Sequence, residues 1–248
     1  MTRTRAGLTH LGLSALVATT VLAVIYFVWF PDVLFEGAGG RDLFFIIASV
    51  DVTIGPLLTF IVFKSGKKGL KFDLAVIATL QLAALSYGVW AIFEARPVYI
   101  VYVKDRFELV RANEIPEENL EKVRAKGQHR LPLWGPKLIG VQIPKDSDEA
   151  FKLMISAMNG VDIQSYPEYY VPYDEVRAEA RAHGKPLEKL RGYNKDRARE
   201  VDQALAALGR KEAEVLFLPM RAGKRDLAAI IDAKDGQLLR ITTLKPWE

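Results

Sequence analysis

The stretch that decides the fold is LFFIIASVDVTIGPLLTFIVF, residues 43–63. It is long enough to cross a bilayer as a helix, since about 20 apolar residues span the hydrocarbon core. Asp51, near its middle, is its one ionisable residue, and Gly55 and Pro56 follow one turn later. An ionised side chain at that depth costs at least about 2.5–3.5 kcal/mol. We therefore predict a membrane span in which Asp51 faces protein rather than lipid.

Two further apolar runs flank this stretch, LGLSALVATTVLAVIYFVWF at residues 11–30 and FDLAVIATLQLAALSYGVWAIF at residues 72–93. The first run ends in aromatic residues, as spans do at a membrane interface. A secretory signal peptide would have a shorter apolar run that ends in small residues at a cleavage site. We predict three membrane spans, at about residues 9–30, 43–63 and 72–94.

Basic residues mark one side of the predicted spans. Residues 64–71, KSGKKGLK, contain four lysines and no acid, whereas residues 31–42 contain three acids and one arginine. By the positive-inside rule, the N-terminus and the lysine loop are cytoplasmic, and the chain after the third span lies in the periplasm of a bacterial inner membrane. The lysine loop lacks the preceding strand and the further glycines that a phosphate-binding loop needs. We predict that it contacts anionic lipids through Lys64, Lys67, Lys68 and Lys71.

Asp51 has polar candidates at a similar depth. At about 1.5 Å per helical residue, Asp51 lies roughly 18 Å and Gln81 roughly 14 Å from the lysine loop, and Thr19 and Thr20 reach the same level. These groups could form a structural polar contact that holds the spans together, or a docking point for a polar group on a partner's membrane helix. A proton relay would need further acids or histidines deep in the membrane, and the interior of the three runs has none. The sequence also predicts a kink at Gly55 and Pro56.

After Arg96 the chain becomes an ordinary charged sequence, so we divide it into a membrane domain at residues 1–95 and a periplasmic domain at residues 96–248. The pattern predicts a hairpin around Lys104 and Asp105, a helix that starts near Pro116 and ends before Gly127, a strand, and a helix capped by Ser147. A broken helical region and a three-stranded meander follow. The predicted fold is membrane α-helical, with three transmembrane helices, plus a C-terminal periplasmic α+β domain with an antiparallel sheet.

Composition argues against several classes of function. The sequence has no cysteine, which excludes disulfides, thiol catalysis and thiolate metal sites, and its net charge is only +4 without a basic stripe, which argues against nucleic-acid binding. His129 and His183 belong to no catalytic or metal-binding spacing. We predict no catalytic site, no metal site and no cofactor.

Four tyrosines lie close together in YPEYYVPYDE, at residues 166–175. They could form a rigid loop that closes over the core. They could equally form a binding surface, since tyrosine combines a large contact area with a polar group. The four are Tyr166, Tyr169, Tyr170 and Tyr173.

Several motifs together resemble one known family. They are DVTIGPLLTFIVF, KKGLKFDLAVIATLQLAALSYGVW, ARPVYIVYVKDRFELVRANEI and the closing KRDLAAIIDAKDGQLLRITTLKPW. The chain resembles the type IV pilin accessory proteins of the TfpX/TfpZ type from about residue 40 to 115 and again at its C-terminus, and less so between. The resemblance marks as partner-binding candidates the motif positions Asp51, Gly55, Pro56, Lys71, Phe72, Asp73, Arg96, Pro97, Tyr99, Arg225, Asp226, Pro246 and Trp247.

The resemblance implies an inner-membrane protein that acts on the major type IV pilin before or during pilus assembly, in a chaperone-like way. It implies neither catalysis nor a cofactor. It also gives weight to the docking interpretation of Asp51, since a pilin subunit is held in the membrane by an apolar helix. The alternative is a membrane sensor with a ligand-binding periplasmic domain. A sensor would need a signalling partner, because only short segments face the cytoplasm.

Overall fold

The computed structural model describes residues 2–125 and 131–248. The chain forms two compact units. The first comprises Met1–Phe35 and Gly39–Arg96, and the second comprises Glu36–Ala38 and Pro97–Glu248.

The first unit is helical. Its long helices are α1 (Arg3–Val24, continued by a π-helical turn at Ile25–Trp29), α3 (Gly40–Val62) and α4 (Leu70–Glu94), and the short α2 (Leu34–Gly37) ends in the second unit. Three segments are long and apolar enough to cross a membrane, Arg3–Trp29, Gly40–Val62 and Leu70–Glu94. This confirms the three predicted apolar helices, but the first begins at Arg3 rather than near residue 9.

Helix α3 packs against both α1 and α4. Small residues bring the helices close, because a side chain on Gly7 would meet Phe60, and one on Gly88 would overlap Ile47. Most other side chains of the three long helices are exposed. Apolar side chains that point away from a helical bundle suit contact with lipid, where burial against protein is not required.

The second unit is built on a seven-stranded sheet in the order β4-β3-β1-β2-β5-β6-β7. The strands are β1 (Pro97–Val103), β2 (Arg106–Arg111), β3 (Lys137–Val141), β4 (Tyr170–Pro172), β5 (Val215–Arg221), β6 (Asp226–Asp232) and β7 (Leu238–Thr242). The predicted hairpin is β1–β2, with Lys104 in a left-handed conformation in its turn, and the predicted meander is β5–β6–β7.

The sheet is mixed, so the predicted antiparallel sheet is wrong in that respect. Strand β3 pairs parallel to β1, with Lys137 opposite Tyr99, and β5 pairs parallel to β2, with Arg221 opposite Glu108. Parallel neighbours need long crossover connections. Helix α5 (Glu117–Arg124) lies in the connection from β2 to β3, and three helices lie between β4 and β5.

Helices cover both faces of the sheet. They are α5 (Glu117–Arg124), α6 (Ser147–Met158), α7 (Tyr173–His183), α8 (Leu187–Tyr193) and α9 (Ala198–Leu208). Val101 and Val103 of β1 join Leu120 of α5 in one core cluster, whereas Tyr102 contacts Tyr173 of α7 on the other face. Helices α8 and α9 form a second core cluster with β5 and β6.

The two ends of the sheet are distinguished by the register of its strands. We call the end where β1 begins the entry end; Pro97 there lies opposite Arg111, the last residue of β2. We call the end with the β1–β2 turn at Lys104 the far end. The segment Glu36–Ala38 lies at the entry end, since the guanidinium of Arg111 donates a hydrogen bond of 2.9 Å to the Ala38 carbonyl.

Candidate functional site

The predicted polar pair of the apolar helices forms a direct contact. Asp51 of α3 is 8% exposed, and its partner is Gln81 of α4. The Nε2 amide of Gln81 donates to Asp51 Oδ1 and to the Asp51 backbone carbonyl, each at 3.2 Å. Asp51 therefore faces protein, and the pair links α3 to α4.

Gly55 makes this contact possible. A Cβ atom at Gly55 would overlap the side-chain amide of Gln81, so only a glycine leaves room for that amide. Pro56 is buried beside it, and α3 continues through Pro56 to Val62 as one helix. The motif GP therefore serves close packing of helices, and Pro56 does not end the helix.

A second polar contact between helices was missed by the sequence reasoning. His10 Nδ1 of α1 lies 2.6 Å from Thr59 Oγ1 of α3, and Arg3 Nε donates to the Phe63 carbonyl at 2.8 Å. The prediction placed His10 at the edge of the first span, although α1 begins seven residues earlier. The spacing of polar residues on α3 could have revealed this contact. Thr59 follows Asp51 by eight residues, about two helical turns, so it also lies on a side of α3 that faces another helix.

Thr19 and Thr20 take no part in these contacts. Their hydroxyls donate to the carbonyls of Ala15 and Leu16 within α1. They therefore do not join the polar contact between the helices that their similar depth had suggested, because a threonine in a helix readily bonds the carbonyl four residues earlier.

The lysine loop is exposed. Lys67 forms an ion pair of 2.7 Å with Asp73 in the first turn of α4, and that acid stabilises the positive end of the helix dipole. Phe72 between them is exposed. The lysines Lys64, Lys67, Lys68 and Lys71 all point outward.

The two ends of the closing motif meet in one groove at the entry end of the sheet. Asp226 begins β6, and its Oδ2 accepts a hydrogen bond of 3.0 Å from Trp247 Nε1. The guanidinium of Arg221 lies 5.8 Å from the centre of the Trp247 ring. We call this the entry groove; its volume is about 470 Å³ and it is lined by Arg197, Arg225, Asp226, Thr243, Lys245, Pro246, Trp247 and Glu248.

The charges of the entry groove are mixed and mostly paired. Arg225 lies 3.7 Å from Glu36, and the backbone N–H groups of Lys224 and Arg225 donate to the Gly37 carbonyl. A hydrogen bond from Arg197 to Glu200 raises the pKa of Arg197 and lowers that of Glu200. The groove combines one indole with cations and carboxylates, a surface suited to a polypeptide rather than to a single small anion.

The motif Arg96, Pro97 and Tyr99 does not reach the entry groove. Arg96 stacks 3.7 Å from the centre of the Phe93 ring, its Nη1 donates to the Phe93 carbonyl at 2.6 Å, and burial lowers its pKa. Pro97 begins β1 and is buried. Tyr99 packs edge-on against Tyr170, with ring centres 5.1 Å apart.

The four tyrosines do not form one loop. Tyr173 begins α7, and its hydroxyl donates a 2.6 Å hydrogen bond to the Gly236 carbonyl. Tyr170 belongs to β4 and donates to the Gln164 carbonyl. The hydroxyl of Tyr166 lies 2.6 Å from Ser156. Burial raises the pKa of Tyr169, Tyr170 and Tyr173.

Tyr169 and Tyr170 line a second groove, at the far end of the sheet. Its volume is about 420 Å³, and its charged lining residues are Lys145, Glu149 and Glu168. The interpretation as a loop over the core thus fits Tyr173, whereas Tyr169 and Tyr170 contribute to a surface groove.

Helix α6 exposes an apolar side that the sequence reasoning did not single out. Phe151 is 59% exposed, Met158 is 79% exposed, and Met154 and Ile155 lie between them. The helix lies at the far end, because Ala150, Leu153, Met154 and Ala157 share a cavity of about 220 Å³ with Lys104. Its amphipathic pattern predicts a buried stripe, yet all its residues are at least partly exposed.

The histidines and carboxylates of the described residues do not cluster as metal ligands. No group of three or more His, Cys, Asp or Glu side chains that could hold a metal ion occurs in residues 2–125 and 131–248. His183 lies 3.1 Å from the hydroxyl of the buried Tyr102 and from the Glu179 carbonyl, which gives it a structural position. His129, and the predicted helix end at Gly127, lie outside the described residues.

Comparisons with known proteins agree on one family. A family model for the fimbrial assembly protein FimB matches residues 1–32. Fimbrial assembly proteins of Dichelobacter nodosus serogroups I and E1 are each 32% identical over 215 residues, 85% of this chain and 83% of theirs. A third, from serogroups C1 and C2, is 38% identical over 109 residues, 43% of this chain and 82% of its own. No solved structure matches. The chain belongs to the fimbrial assembly protein family.

Proposed function

We propose that this protein is a pilin accessory protein of the TfpX/TfpZ type, which binds the major type IV pilin in the inner membrane and assists its assembly into a pilus. The relatives are named for fimbrial assembly, which supports a role in building pili. The more specific role as a chaperone-like pilin-binding protein rests on the motifs and on the groove that they form.

The observation that carries the proposal is the convergence of motif residues in the entry groove. Arg225 and Asp226 are separated in sequence from Pro246 and Trp247 by about 20 residues, yet all four line one groove. An aromatic ring surrounded by cations and carboxylates is typical of a protein-binding hot spot.

The position of the groove also suits a membrane-held partner. Helix α4 ends at Glu94 and β1 begins at Pro97, so the chain reaches the entry end of the sheet directly from an apolar helix. A pilin subunit held by its own apolar helix would leave the bilayer in the same way. We place the domain in the periplasm, on the side opposite the lysine loop, as the positive-inside rule requires.

We assign Asp51 a supporting role in docking that remains separate from the groove. Its Oδ1 is bonded to Gln81, so the pair first of all fixes α3 against α4. A hydrogen bond between membrane helices contributes about 0.6–2 kcal/mol, which makes a polar group on the pilin helix a modest additional partner for Asp51.

Co-purification from detergent with the pilin of the same bacterium tests the groove. Trp247→Ala removes a central aromatic contact and should weaken pilin binding by about 2 kcal/mol or more, roughly 30-fold. Phe151→Ala is the matched control, because it removes an exposed aromatic side chain at the far end. Loss of pilin with Phe151→Ala and retention with Trp247→Ala would move the docking surface to α6 and overturn the groove assignment.

The membrane contribution is tested by pilus number. Asp51→Leu should reduce the number of pili while the protein stays at its normal level in the membrane. If the protein itself disappears, the Asp51–Gln81 pair is structural and its assignment to docking is wrong.

A further inference from the structure

A loop at the entry end of the sheet exposes large apolar side chains. Trp134 is 79% exposed and Leu133 is 49% exposed. Gly135, with φ of 57°, follows them before β3 begins at Lys137. Exposing the large apolar ring of a tryptophan to water is unfavourable, because the ring would be stabilised by burial. This loop, residues 131–136, therefore calls for something that covers it.

The register of the sheet fixes where this loop lies. Strand β3 runs parallel to β1, and its first residue, Lys137, is opposite Tyr99, near the start of β1. The loop immediately before β3 is therefore at the entry end, beside the start of β1 at Pro97.

The chain itself brings the entry end to a membrane. Helix α4, long and apolar enough to span a bilayer, ends at Glu94, and β1 begins three residues later. Even fully extended, three residues reach about 10–11 Å, which is comparable to the headgroup layer of roughly 5–8 Å on each side of the hydrocarbon core. The start of β1 cannot lie far from lipid headgroups.

A second part of the chain reaches the same end. Glu36–Ala38 connects the first apolar helix to α3, and Arg111 and the backbone of Arg225 bond its carbonyls. Two connections to apolar helices, far apart in sequence, thus meet the sheet at its entry end.

We propose that Leu133 and Trp134 insert into the headgroup layer of the bilayer and hold the sheet domain at the membrane surface. Tryptophan prefers this layer, because its ring is apolar and its N–H can bond to water or headgroups. Lys137 beside the loop is exposed, and its ammonium suits a lipid phosphate. This lipid contact is independent of pilin binding and would persist if the groove bound no pilin.

Single-cysteine labelling tests the lipid contact, since the natural sequence has no cysteine. Trp134→Cys and Met158→Cys are made in the full chain and labelled with an environment-sensitive fluorophore. Both positions are 79% exposed, but Met158 follows Ala157 of the far-end cavity. Each protein is reconstituted into phosphatidylcholine–phosphatidylglycerol vesicles, with or without lipid that carries a nitroxide near its headgroup.

The label at position 134 should lose severalfold more fluorescence to the nitroxide lipid than the label at position 158. Leu133→Cys provides a second position in the loop and should follow Trp134→Cys. Equal quenching at 134 and 158, no quenching at either, or quenching at 158 alone would overturn the proposal. Circular dichroism of each labelled protein shows that its fold is retained.

Discussion

Gly55 shows how one absent side chain sets a contact between membrane helices. The Gln81 amide occupies the space that a Cβ atom on Gly55 would take, and from there it reaches both the carbonyl and the carboxylate of Asp51. A polar pair in an apolar bundle is stable only when each partner can reach the other. The glycine and the acid in the motif DVTIGP therefore act together.

Gly55→Ala should destabilise the helical unit. The added methyl group displaces Gln81, so Asp51 loses its partner, and an unsatisfied buried polar group costs about 1–3 kcal/mol. Thermal unfolding in detergent, followed by circular dichroism, measures the loss. Gly12→Ala on α1 is the control, because a Cβ there meets nothing within 4 Å. Equal effects of the two substitutions would show that Gly55 matters only for its backbone.

Tyr173 should make the sheet domain sensitive to alkaline pH. Burial raises its pKa above the usual value near 10, so above about pH 10 the unfolded chain loses a proton that the folded chain keeps. The free energy of unfolding then falls with rising pH, by about 1.4 kcal/mol per pH unit for one tyrosine. Below pH 10 this residue contributes no pH dependence.

Tyr173→Phe removes that titration. At neutral pH the variant should lose about 1 kcal/mol, because the hydrogen bond to Gly236 is absent. Between pH 10 and 11.5 its unfolding midpoint in urea should fall less steeply than that of the natural protein. An unchanged slope would mean that the Tyr173 hydroxyl is accessible to water in the folded state.

Among the elements, α6 shows that a sequence can predict a helix and miss its cap. Ser147 was predicted as the cap, but the helix starts there and the capping residue is Asp146, whose Oδ1 accepts from the N–H groups of Asp148 and Glu149 at 3.0 Å. Serine and aspartate are equally good caps, so the choice between neighbours depends on backbone geometry that the sequence does not state.

Asp146→Ala should loosen the first turn of α6, whereas Ser147→Ala should not. The loss of an N-cap costs about 1 kcal/mol. Hydrogen exchange of a peptide from this helix, measured by mass spectrometry on the full chain, should speed up roughly fivefold for Asp146→Ala. Faster exchange with Ser147→Ala alone would restore the original assignment of the cap.

The strand pairs show which part of the sheet the local sequence can predict. The β1–β2 hairpin and the β5–β6–β7 meander were predictable because turns such as Asp235-Gly236 join neighbours in sequence. The parallel pairs β1–β3 and β2–β5 were not predictable, because these strands are far apart in sequence and are brought together by the packing of the crossover helices. The entry groove lies between these cases: Asp226 and Trp247 were identified within one closing motif, but the hydrogen bond between them depends on the fold of the segment after β7. His10 was missed because its apolar run seemed to start at Leu11.

At the scale of the whole molecule, the charge asymmetry around three apolar helices leads to the last prediction. Lysines lie in the loop between α3 and α4, and an odd number of crossings separates the N-terminus from the sheet domain. If the three helices all span, the lysine loop and the sheet domain must lie on opposite sides of the membrane, and the positive-inside rule places the lysines in the cytoplasm.

Labelling of single introduced cysteines in living cells tests this arrangement. The natural sequence has no cysteine, so no native cysteine has to be replaced first. Ser65→Cys lies in the lysine loop and Lys234→Cys lies in the β6–β7 turn, and both positions are exposed. A maleimide that passes the outer membrane but not the inner membrane should label Lys234→Cys in intact cells, and Ser65→Cys only after the inner membrane is permeabilised. The reverse pattern would place the entry groove in the cytoplasm. Labelling of both positions in intact cells would mean that fewer than three helices cross. The reverse pattern would remove the pilin-binding proposal, because a pilin head outside the inner membrane could not then reach the groove. Labelling of both positions would overturn the three crossings but leave the groove on the periplasmic side.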